Sequence, residues 1–307
     1  MSHKTAHDFD QELLGLFDAY VHGAIDRRTF VEKAAKFAVG GVTAIMLLDQ
    51  LSPNFAAGQV VGADDKRIAA KYLEYDSPKG YGKARGYFVH PGAAKGKLPG
   101  VLVIHENRGL NPHIEDVARR LALDDFVAFA PDALFSLGGY PGDEDKAREL
   151  FPKLDQTKIR EDFIAAAAFL KGRPECSGRI GAVGFCYGGG MVNYLATRLG
   201  SDLSAAVCFY GSAPDTGDVP KIKAPLMVHS AEKDDRINAS WPEFERALKA
   251  ANVMYERFSY PGTQHGFNND TTPRYDADAA KLAWGRTLAF FEKHVRDAPS
   301  ATPRSSP

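Results

Sequence analysis

The distribution of apolar and polar residues changes at about residue 68. From there, short apolar runs alternate with helical stretches almost to the end of the chain. Five short, continuous apolar runs have the length and composition of buried parallel strands: residues 100–104, 126–130, 180–184, 205–210 and 225–229. Stretches with helical character lie between them: residues 113–123, 158–170, 191–199 and 241–251. This alternation predicts one doubly wound, mostly parallel sheet with helices on both faces.

Further segments complete this predicted α/β body. Residues 68–75 and 83–89 alternate apolar with polar side chains on either side of a turn-rich joint, which predicts a hairpin. Residues 255–260 are predicted to form another strand, and residues 277–294 the last helix. Residues 133–157 hold a glycine-rich turn and then a charged helical stretch, so we expect this excursion to form part of a pocket wall.

The first 62 residues differ from this pattern and are predicted to form a helical N-terminal extension. Arg27 and Arg28 precede a mild apolar run at residues 37–48, an arrangement that resembles a twin-arginine export signal. The acidic residues ahead of the arginines and the poor cleavage site around Phe55 favour the alternative, a retained set of helices. Such helices would pack on the body or on a second subunit, and the second case would give a homodimer.

We favour periplasmic export over a cytoplasmic location. The predicted catalytic domain then covers residues 63–297. The last ten residues, 298–307, are rich in proline and serine and are predicted to be disordered.

Composition excludes several classes of function. The chain has 307 residues and a net charge of −1, with lysine and arginine scattered along it, so no nucleic-acid partner is predicted. The apolar run of the extension is too short to span a membrane as a helix. The three cysteines form no C-x-x-C pair, and His105, His113 and His229 come from three separate elements. We therefore predict neither a metal site nor a disulfide framework.

The segment Gly184-Phe-Cys-Tyr-Gly-Gly189 carries the strongest chemical signal. It follows a predicted strand and opens a helix, which is the G-x-nucleophile-x-G elbow of α/β-hydrolases with cysteine in place of serine. A helix N-terminus lowers the pKa of a thiol and offers the Tyr187 N–H to a developing oxyanion. Cys186 is therefore the predicted nucleophile. Of the other cysteines, Cys208 is predicted in a buried strand and Cys176 in a loop.

A base and an orienting acid follow in the chain order that this fold requires. Asp234 comes just after a predicted strand, and His265 lies in a glycine-flanked loop after the next one. Open α/β sheets build their sites at these strand ends. Asp235 competes with Asp234 for the role of the acid. Glu106 lies in the loop that supplies the second oxyanion N–H in this fold, where it could also touch the thiol.

Together these motifs resemble those of the dienelactone hydrolase family: the strand that runs into Glu106, Pro131-Asp132, the Cys186 elbow, Asp234 and His265-Gly-Phe267. The resemblance implies an α/β-hydrolase fold and hydrolysis of a small-molecule ester or lactone through a thioester acyl-enzyme, without a cofactor. It implies that Cys186 is the nucleophile, His265 the base and Asp234 its orienting acid. It also implies that Glu106 is the partner of the resting thiol.

The family resemblance further implies that the backbone N–H groups of Asn107 and Tyr187 form the oxyanion hole. The sequence departs from the family where two arginines hold the carboxylate of dienelactone, because these positions are Ser136 and Asn269. Without that bidentate anchor, hydrolysis of dienelactone itself is not expected.

Either Arg108 or Arg274 could replace the missing anchors. The other predicted pocket residues are aromatic: Phe135, Tyr140, Tyr187, Tyr210, Trp241 and Phe267. The alternative function is a non-catalytic hydrolase-fold protein that binds a ligand or serves as a scaffold. The intact nucleophile, base and acid argue against that alternative.

Overall fold

One eight-stranded sheet organises the protein, whose structure is a computed structural model that describes residues 4–296. The strands are Ile68–Ser77 (β1), Gly82–Pro91 (β2), Leu98–Ile104 (β3), Val127–Pro131 (β4), Cys176–Phe185 (β5), Ala205–Phe209 (β6), Leu226–Lys233 (β7) and Tyr255–Gln264 (β8). They lie in the order β1-β2-β4-β3-β5-β6-β7-β8. The pairs β1–β2 and β2–β4 are antiparallel and all the others are parallel, which confirms the predicted α/β-hydrolase sheet.

Helices cover both faces of the sheet and also form the N-terminal extension. They are Gln11–Val21 (α1), Arg27–Ala34 (α2), Ala44–Leu51 (α3), Phe55–Gly58 (α4), Pro112–Leu123 (α5), Glu144–Leu150 (α6), Gln156–Lys171 (α7), Tyr187–Leu199 (α8), Asp235–Asn238 (α9), Trp241–Ala250 (α10) and Ala277–Phe291 (α11). A π-helical turn, Glu292–Arg296, follows α11. The tail predicted to be disordered, residues 298–307, lies outside the described residues.

Two apolar cores lie on opposite faces of the sheet because successive side chains of a strand point to opposite sides. In β3, Leu102 and Ile104 join the core that α7, α8 and α10 complete, whereas Val101 and Val103 join the core beneath α5 and α11. The strand is therefore buried on both faces, as its continuous apolar run predicts. Its C-terminal end is held firmly at the edge of the sheet where the chemistry is expected.

Several element boundaries differ from the sequence prediction, and two of these differences concern cysteines. Strand β5 begins at Cys176, so this cysteine is buried in a strand that pairs with Leu98 and is not in a loop. Helix α8 begins at Tyr187, directly after Cys186, and not at residue 191. The three glycines in its first turn have low helix propensity, so the sequence pattern predicts a later start for the helix.

The N-terminal extension has an apolar core of its own. Helices α1 to α3 bury a set of side chains against one another: Phe9, Leu13, Leu14, Phe17, Tyr20, Phe30, Ala34, Ala44, Leu47, Leu48 and Leu51. Asp10, Asp26 and Thr43 cap the three helices by accepting hydrogen bonds from backbone N–H groups of the first turn. The extension is therefore a small folded unit with a satellite core.

Polar contacts attach the extension to the body of the same chain. The backbone N–H of Asn54 donates to the Thr271 carbonyl at 2.7 Å, and Arg27 Nε donates to Asp145 Oδ2 at 3.1 Å. The Tyr20 hydroxyl also donates to Asp145. None of the helices between residues 4 and 296 combines the length and the apolarity that a membrane crossing requires.

Candidate active site

Cys186 lies in a sharp turn between β5 and α8. Its backbone has φ 55° and ψ −113°, a conformation that L-residues rarely adopt and that costs about 1–3 kcal/mol. Neighbouring glycines make the turn feasible, since a Cβ on Gly184 would lie 2.1 Å from the Gly188 carbonyl oxygen. A Cβ on Gly188 would lie 2.1 Å from the Ile104 carbonyl oxygen. The turn lifts the thiol above the carboxyl edge of the sheet, as the elbow motif predicts.

Asp234 and His265 meet at the same edge. Asp234 follows β7 and His265 follows β8, and His265 Nδ1 lies 2.6 Å from Asp234 Oδ2. Both residues are 5% exposed, so the hydrogen bond is shielded from water. Asp235 is exposed, and the geometry therefore favours Asp234 over Asp235 as the partner of the histidine. The Nε2 side of the His265 ring faces Cys186.

The electrostatics around Cys186 favour its thiolate. Burial opposes a charge on the sulfur, but the positive charges of His265 and His22 outweigh burial and lower the Cys186 pKa to about 6. Burial likewise opposes a charge on His265, yet the Cys186 thiolate and Asp234 raise the His265 pKa above its ordinary value. At neutral pH the pair is therefore a thiolate facing an imidazolium, the reactive form of a cysteine nucleophile.

His22 is the residue that sequence reasoning missed. It ends α1 of the extension, and its Nε2 lies 3.3 Å from the Cys186 sulfur. Its Nδ1 lies 2.8 Å from the Asp18 carbonyl oxygen and 3.3 Å from Asp18 Oδ1. Its ring centroid is 4.8 Å from that of His265. The one available signal was the Asp18–His22 spacing of four residues, which places both side chains on one helix face.

Glu106 has a different contact from the one that the family resemblance implies. Its Oε2 accepts a hydrogen bond from Asn269 Nδ2 at 3.1 Å, while the Cys186 sulfur has His22 as its hydrogen-bond partner. Asn269, at one of the two replaced arginine positions, therefore holds the glutamate. In this structure an imidazole of the extension stands where the resemblance places the glutamate.

The loop after β3 is also tied to the extension. Asn107 Nδ2 donates to the Val21 carbonyl at 3.0 Å, and Arg108 Nη2 donates to the same oxygen at 2.9 Å. Arg108 Nη1 donates to Asn107 Oδ1 at 2.7 Å. Tyr187 is the first residue of α8, so the helix leaves its backbone N–H free of an intrahelical partner.

A cleft of about 550 Å³, counted with its open mouth, lies directly over Cys186. The body contributes one part of its wall: Glu106, Asn107, Arg108, Glu144, Asp145, Cys186, His265, Asn269, Thr272 and Arg274. The extension contributes the rest: Phe17, Tyr20, Val21, His22, Ser52 and Pro53. The cleft over Cys186 is therefore built jointly by the body and the extension.

Arg108, Arg274 and Asn269 line this cleft, whereas the other residues predicted for the pocket are not among its lining residues. Ser136 is exposed in a short 3-10 helix, and Phe135 packs under the Arg85 guanidinium. The Tyr140 hydroxyl donates to Glu144 Oε1 at 2.8 Å. The aromatic side chains that line the cleft come instead from the extension, namely Phe17 and Tyr20.

The remaining aromatic candidates lie in the protein interior or beside it. Tyr210 is 1% exposed and stacks behind His265, with ring centroids 5.0 Å apart, and Phe267 packs against Tyr210. Trp241 packs against Phe244 at the start of α10. Tyr210 and Phe267 therefore support the His265 loop from below, and neither lines the cleft over Cys186.

Three histidines considered as metal ligands are engaged in separate contacts. His229 hydrogen-bonds to the hydroxyls of Tyr260 and Thr287, and His105 Nε2 accepts from the Ala133 N–H. His113 Nδ1 lies 3.2 Å from Asp270 Oδ1. Each of them has a structural role in its own neighbourhood.

Comparison with known proteins identifies the body of the chain. The sequence profile of the dienelactone hydrolase family matches residues 84–295, which is more than half of the sequence. The chain belongs to the dienelactone hydrolase family. A second profile, described as YqhI-like, matches residues 1–37 and so covers the helix that carries His22.

The alignments with relatives of this dienelactone hydrolase family member cover most of the length of each relative. A hydrolase fragment named YghX from Escherichia coli K12 is 53% identical over 116 residues, 38% of this chain and 99% of that protein. A Synechocystis protein named as a carboxymethylenebutenolidase is 33% identical over 229 residues, 69% of this chain and 92% of its own. A Klebsiella pneumoniae structure described as a dienelactone hydrolase superimposes with a TM-score of 0.65 at 29% identity, covering 73% and 99% of the two chains.

These findings make the chain a hydrolase of the dienelactone hydrolase family, which acts on ester or lactone bonds. The family profile begins at residue 84, so it does not include the extension. The wall that Phe17, Tyr20 and His22 add to the cleft is therefore a feature outside the family body.

Proposed function

We propose that the protein hydrolyses a carboxylic ester or lactone through Cys186, His265 and Asp234, with a thioester acyl-enzyme as intermediate. The observation that carries this proposal is the convergence of a strained, thiolate-favouring Cys186 with the buried His265–Asp234 pair, joined at 2.6 Å. A structural cysteine in a core has no need of either feature. The order of the three residues along the chain is also the order of the α/β-hydrolase triad.

The proposed reaction follows from the geometry. The Cys186 thiolate attacks the carbonyl carbon, and the backbone N–H groups of Tyr187 and Asn107 stabilise the oxyanion that forms. Collapse breaks the carbon–oxygen ester bond, and the departing alkoxide takes the proton of the His265 imidazolium. Neutral His265 then removes a proton from water, which attacks the thioester. The carbon–sulfur bond breaks, the acid leaves and the Cys186 thiolate is restored.

The charges in the cleft favour a substrate without a carboxylate next to the scissile bond. Arg274 Nη1 already lies 3.3 Å from Asp18 Oδ1, and Arg108 is occupied by Val21 and Asn107. Both guanidinium groups thus have acceptors that come from the extension or from the adjacent loop. We therefore propose neutral esters and lactones as the substrate class and do not expect hydrolysis of dienelactone.

A substrate screen tests both parts of the proposal. We expect turnover of short p-nitrophenyl esters and neutral lactones, and mass spectrometry of a quenched reaction should show one acyl group on Cys186. Cys186→Ala should lose this turnover, whereas Cys208→Ala, a change at another buried cysteine, should keep it. Wild-type turnover by Cys186→Ala would rule out the thioester route. A protein inactive on every ester and lactone tested would instead support the ligand-binding alternative.

Two predictions about the extension stay open alongside this function. We propose that Arg27 and Arg28 belong to a twin-arginine-type export signal that the folded protein retains, and that the extension contributes to a homodimer. Fractionation of the native host followed by N-terminal sequencing tests the first, and light scattering after size exclusion tests the second. A protein found only in the cytoplasm would reject export, loss of the extension on export would reject its retention, and a monomeric mass would reject the dimer.

A further inference from the structure

Three nitrogen and sulfur atoms from distant parts of the chain converge in the cleft. Ligand atoms of His22, Cys186 and His265 all lie within 4.8 Å of one another, and His22 Nε2 is 3.3 Å from the Cys186 sulfur. A tetrahedral zinc ion, with bonds of about 2.0–2.3 Å, separates a nitrogen from a sulfur ligand by about 3.6 Å and two nitrogens by about 3.3 Å. Side-chain movements of about 1 Å would bring this set to zinc geometry.

Both histidines have the outer contacts that zinc-binding histidines have. His265 Nδ1 lies 2.6 Å from the Asp234 carboxylate, and His22 Nδ1 contacts both the carbonyl oxygen and the carboxylate of Asp18. A carboxylate or carbonyl on Nδ1 fixes the ring so that the lone pair of Nε2 points to the metal. Two histidines prepared in the same way, with a thiol between them, form a ligand set typical of Zn²⁺.

The Nε2 atoms are also available. His265 Nε2 is buried and has no partner in hydrogen-bond geometry among the residues from 4 to 296. Arg236 Nη2 lies 3.1 Å from His22 Nε2, and because a guanidinium only donates, it can hydrogen-bond to this nitrogen only when the ring is neutral and has a lone pair on Nε2. Arg236 is exposed and can turn into solvent when a cation arrives.

We propose that His22, Cys186 and His265 form a binding site for a thiophilic divalent cation, Zn²⁺, which switches the hydrolase off when it is occupied. The Cys186 thiolate forms the sulfur–zinc bond, the His265 imidazolium releases its Nε2 proton to solvent as its nitrogen–zinc bond forms, and the metal stays Zn(II) throughout. The fourth position faces the cleft, where water can fill it. Zinc binding stands on its own geometry, whereas the inhibition rests on the proposed function, because zinc takes the lone pairs of the nucleophile and the base.

The extension is what makes this a three-ligand site. The family body, residues 84–295, contributes Cys186 and His265, and two ligands alone hold zinc weakly. His22 adds the third ligand, and Asp18, itself paired with Arg274, orients it. The proposed site therefore belongs to the combination of the two parts and not to either one.

A cobalt titration of the full-length protein, freed of metal by a chelator, tests the site. We expect one Co²⁺ per chain, with thiolate-to-cobalt charge-transfer absorption in the near ultraviolet that Zn²⁺ abolishes. Asp18→Asn keeps all three ligand atoms and should weaken zinc binding by about 10- to 100-fold. His22→Gln should weaken it at least as much. His7→Gln, at an exposed histidine of the same extension, is the matched control and should bind like the wild type.

Inhibition is measured with p-nitrophenyl acetate and added Zn²⁺. Turnover should fall with a midpoint equal to the zinc affinity and return when a chelator is added. Absence of the charge-transfer band, or equal zinc affinity in His22→Gln and His7→Gln, would overturn the proposed site. Faster turnover with zinc would overturn the inhibition. Failure of the proposed function is read separately, because Cys186→Ala would then hydrolyse the ester in metal-free buffer while the wild type still bound cobalt.

Discussion

The Cys186 sulfur lies between two carboxylate–histidine pairs that reach it from different parts of the chain. The first, Asp234–His265, stands on the ends of β7 and β8, with its side chains 3% and 6% exposed. The second, Asp18–His22, stands on α1 of the extension, with side chains 29% and 14% exposed and a longer contact of 3.3 Å. The two pairs have the same chemistry, and they differ in what holds them in place.

Because the surrounding structure holds the two pairs with different rigidity, we expect them to have different roles. His265 is backed by the buried ring of Tyr210 and by the sheet, so its position is fixed to the precision that proton transfer needs. His22 is positioned by the satellite core of the extension and by polar contacts to the body. An element held by few contacts opens more easily than a core strand. Under the proposed function, we therefore expect the first pair to transfer protons and the second to control the thiol and the cleft.

The largest expected difference between the pairs is in turnover. His265→Gln should lower kcat/KM for p-nitrophenyl acetate by about 10³-fold, because it removes the group that protonates the leaving alkoxide and activates water. His22→Gln should lower it by less than about tenfold, since the thiolate keeps one imidazolium partner. Steady-state kinetics in metal-free buffer measure both. Losses of equal size would show that the two histidines act as a unit and would contradict the division of work.

The same asymmetry should hold for the two acids. Asp234→Asn should lower kcat/KM by roughly 10²-fold or more, because His265 loses both its orientation and the charge that stabilises its protonated ring. Asp18→Asn should cost only a fewfold change. The two substitutions are matched in chemistry, so each is the control for the other. If Asp18→Asn were the more damaging variant, the extension would have to be counted within the catalytic machinery.

A third difference concerns stability. Phe30 is fully buried in the satellite core, and Phe30→Ala should cost about 3 kcal/mol or more. Because that core is separate from the two sheet cores, the loss should open the extension and leave the body folded. Limited proteolysis should then cut the extension roughly 100-fold faster.

Phe129→Ala, at a fully buried position of β4, is the comparison for this stability test. It should lower the melting temperature of the whole protein, whereas Phe30→Ala should leave the main transition near its wild-type temperature. A single, shared transition that falls in both variants would show that extension and body unfold as one unit.

The sequence predicted those parts of the site whose local pattern also determines their place in the fold. The apolar run that ends at Ile104 and the glycine-flanked Cys186 predict a strand and an elbow, because steric rules for a tight strand–helix turn leave few alternatives. The order of Asp234 and His265 follows from the same fold. These elements placed three of the residues at the centre of the site without any knowledge of tertiary contacts.

The other features of the site depend on the packing of α1 against the body, which no local sequence pattern predicts. His22 reaches Cys186 only because α1 packs on the body, and Phe17 and Tyr20 of that helix line the cleft in place of the aromatic residues predicted for the pocket. The contact spans 164 positions in the chain. Helical periodicity shows which face of α1 is apolar, but it does not show which surface that helix will cover.

The smallest expected difference appears in the titration of the thiol. The pKa of Cys186 lies near 6 because the positive charges of His265 and His22 outweigh its burial. Removal of His22 takes away one of these charges, so the proton is held more tightly and the thiol pKa should rise. The rate of iodoacetamide alkylation, followed against pH, should therefore have its midpoint at higher pH in His22→Gln, with slower alkylation below pH 7 and the wild-type rate at high pH.

His7→Gln should give the wild-type alkylation curve, which controls for changes in the extension itself. A midpoint that did not move in His22→Gln would mean that Arg236 keeps the His22 ring neutral in the resting enzyme. In that state His22 would contribute a lone pair and no charge, so it could still bind a cation but would not help to ionise the thiol. The pH profile thus decides which of two protonation states the second pair presents to Cys186, a distinction that loss of turnover alone does not make.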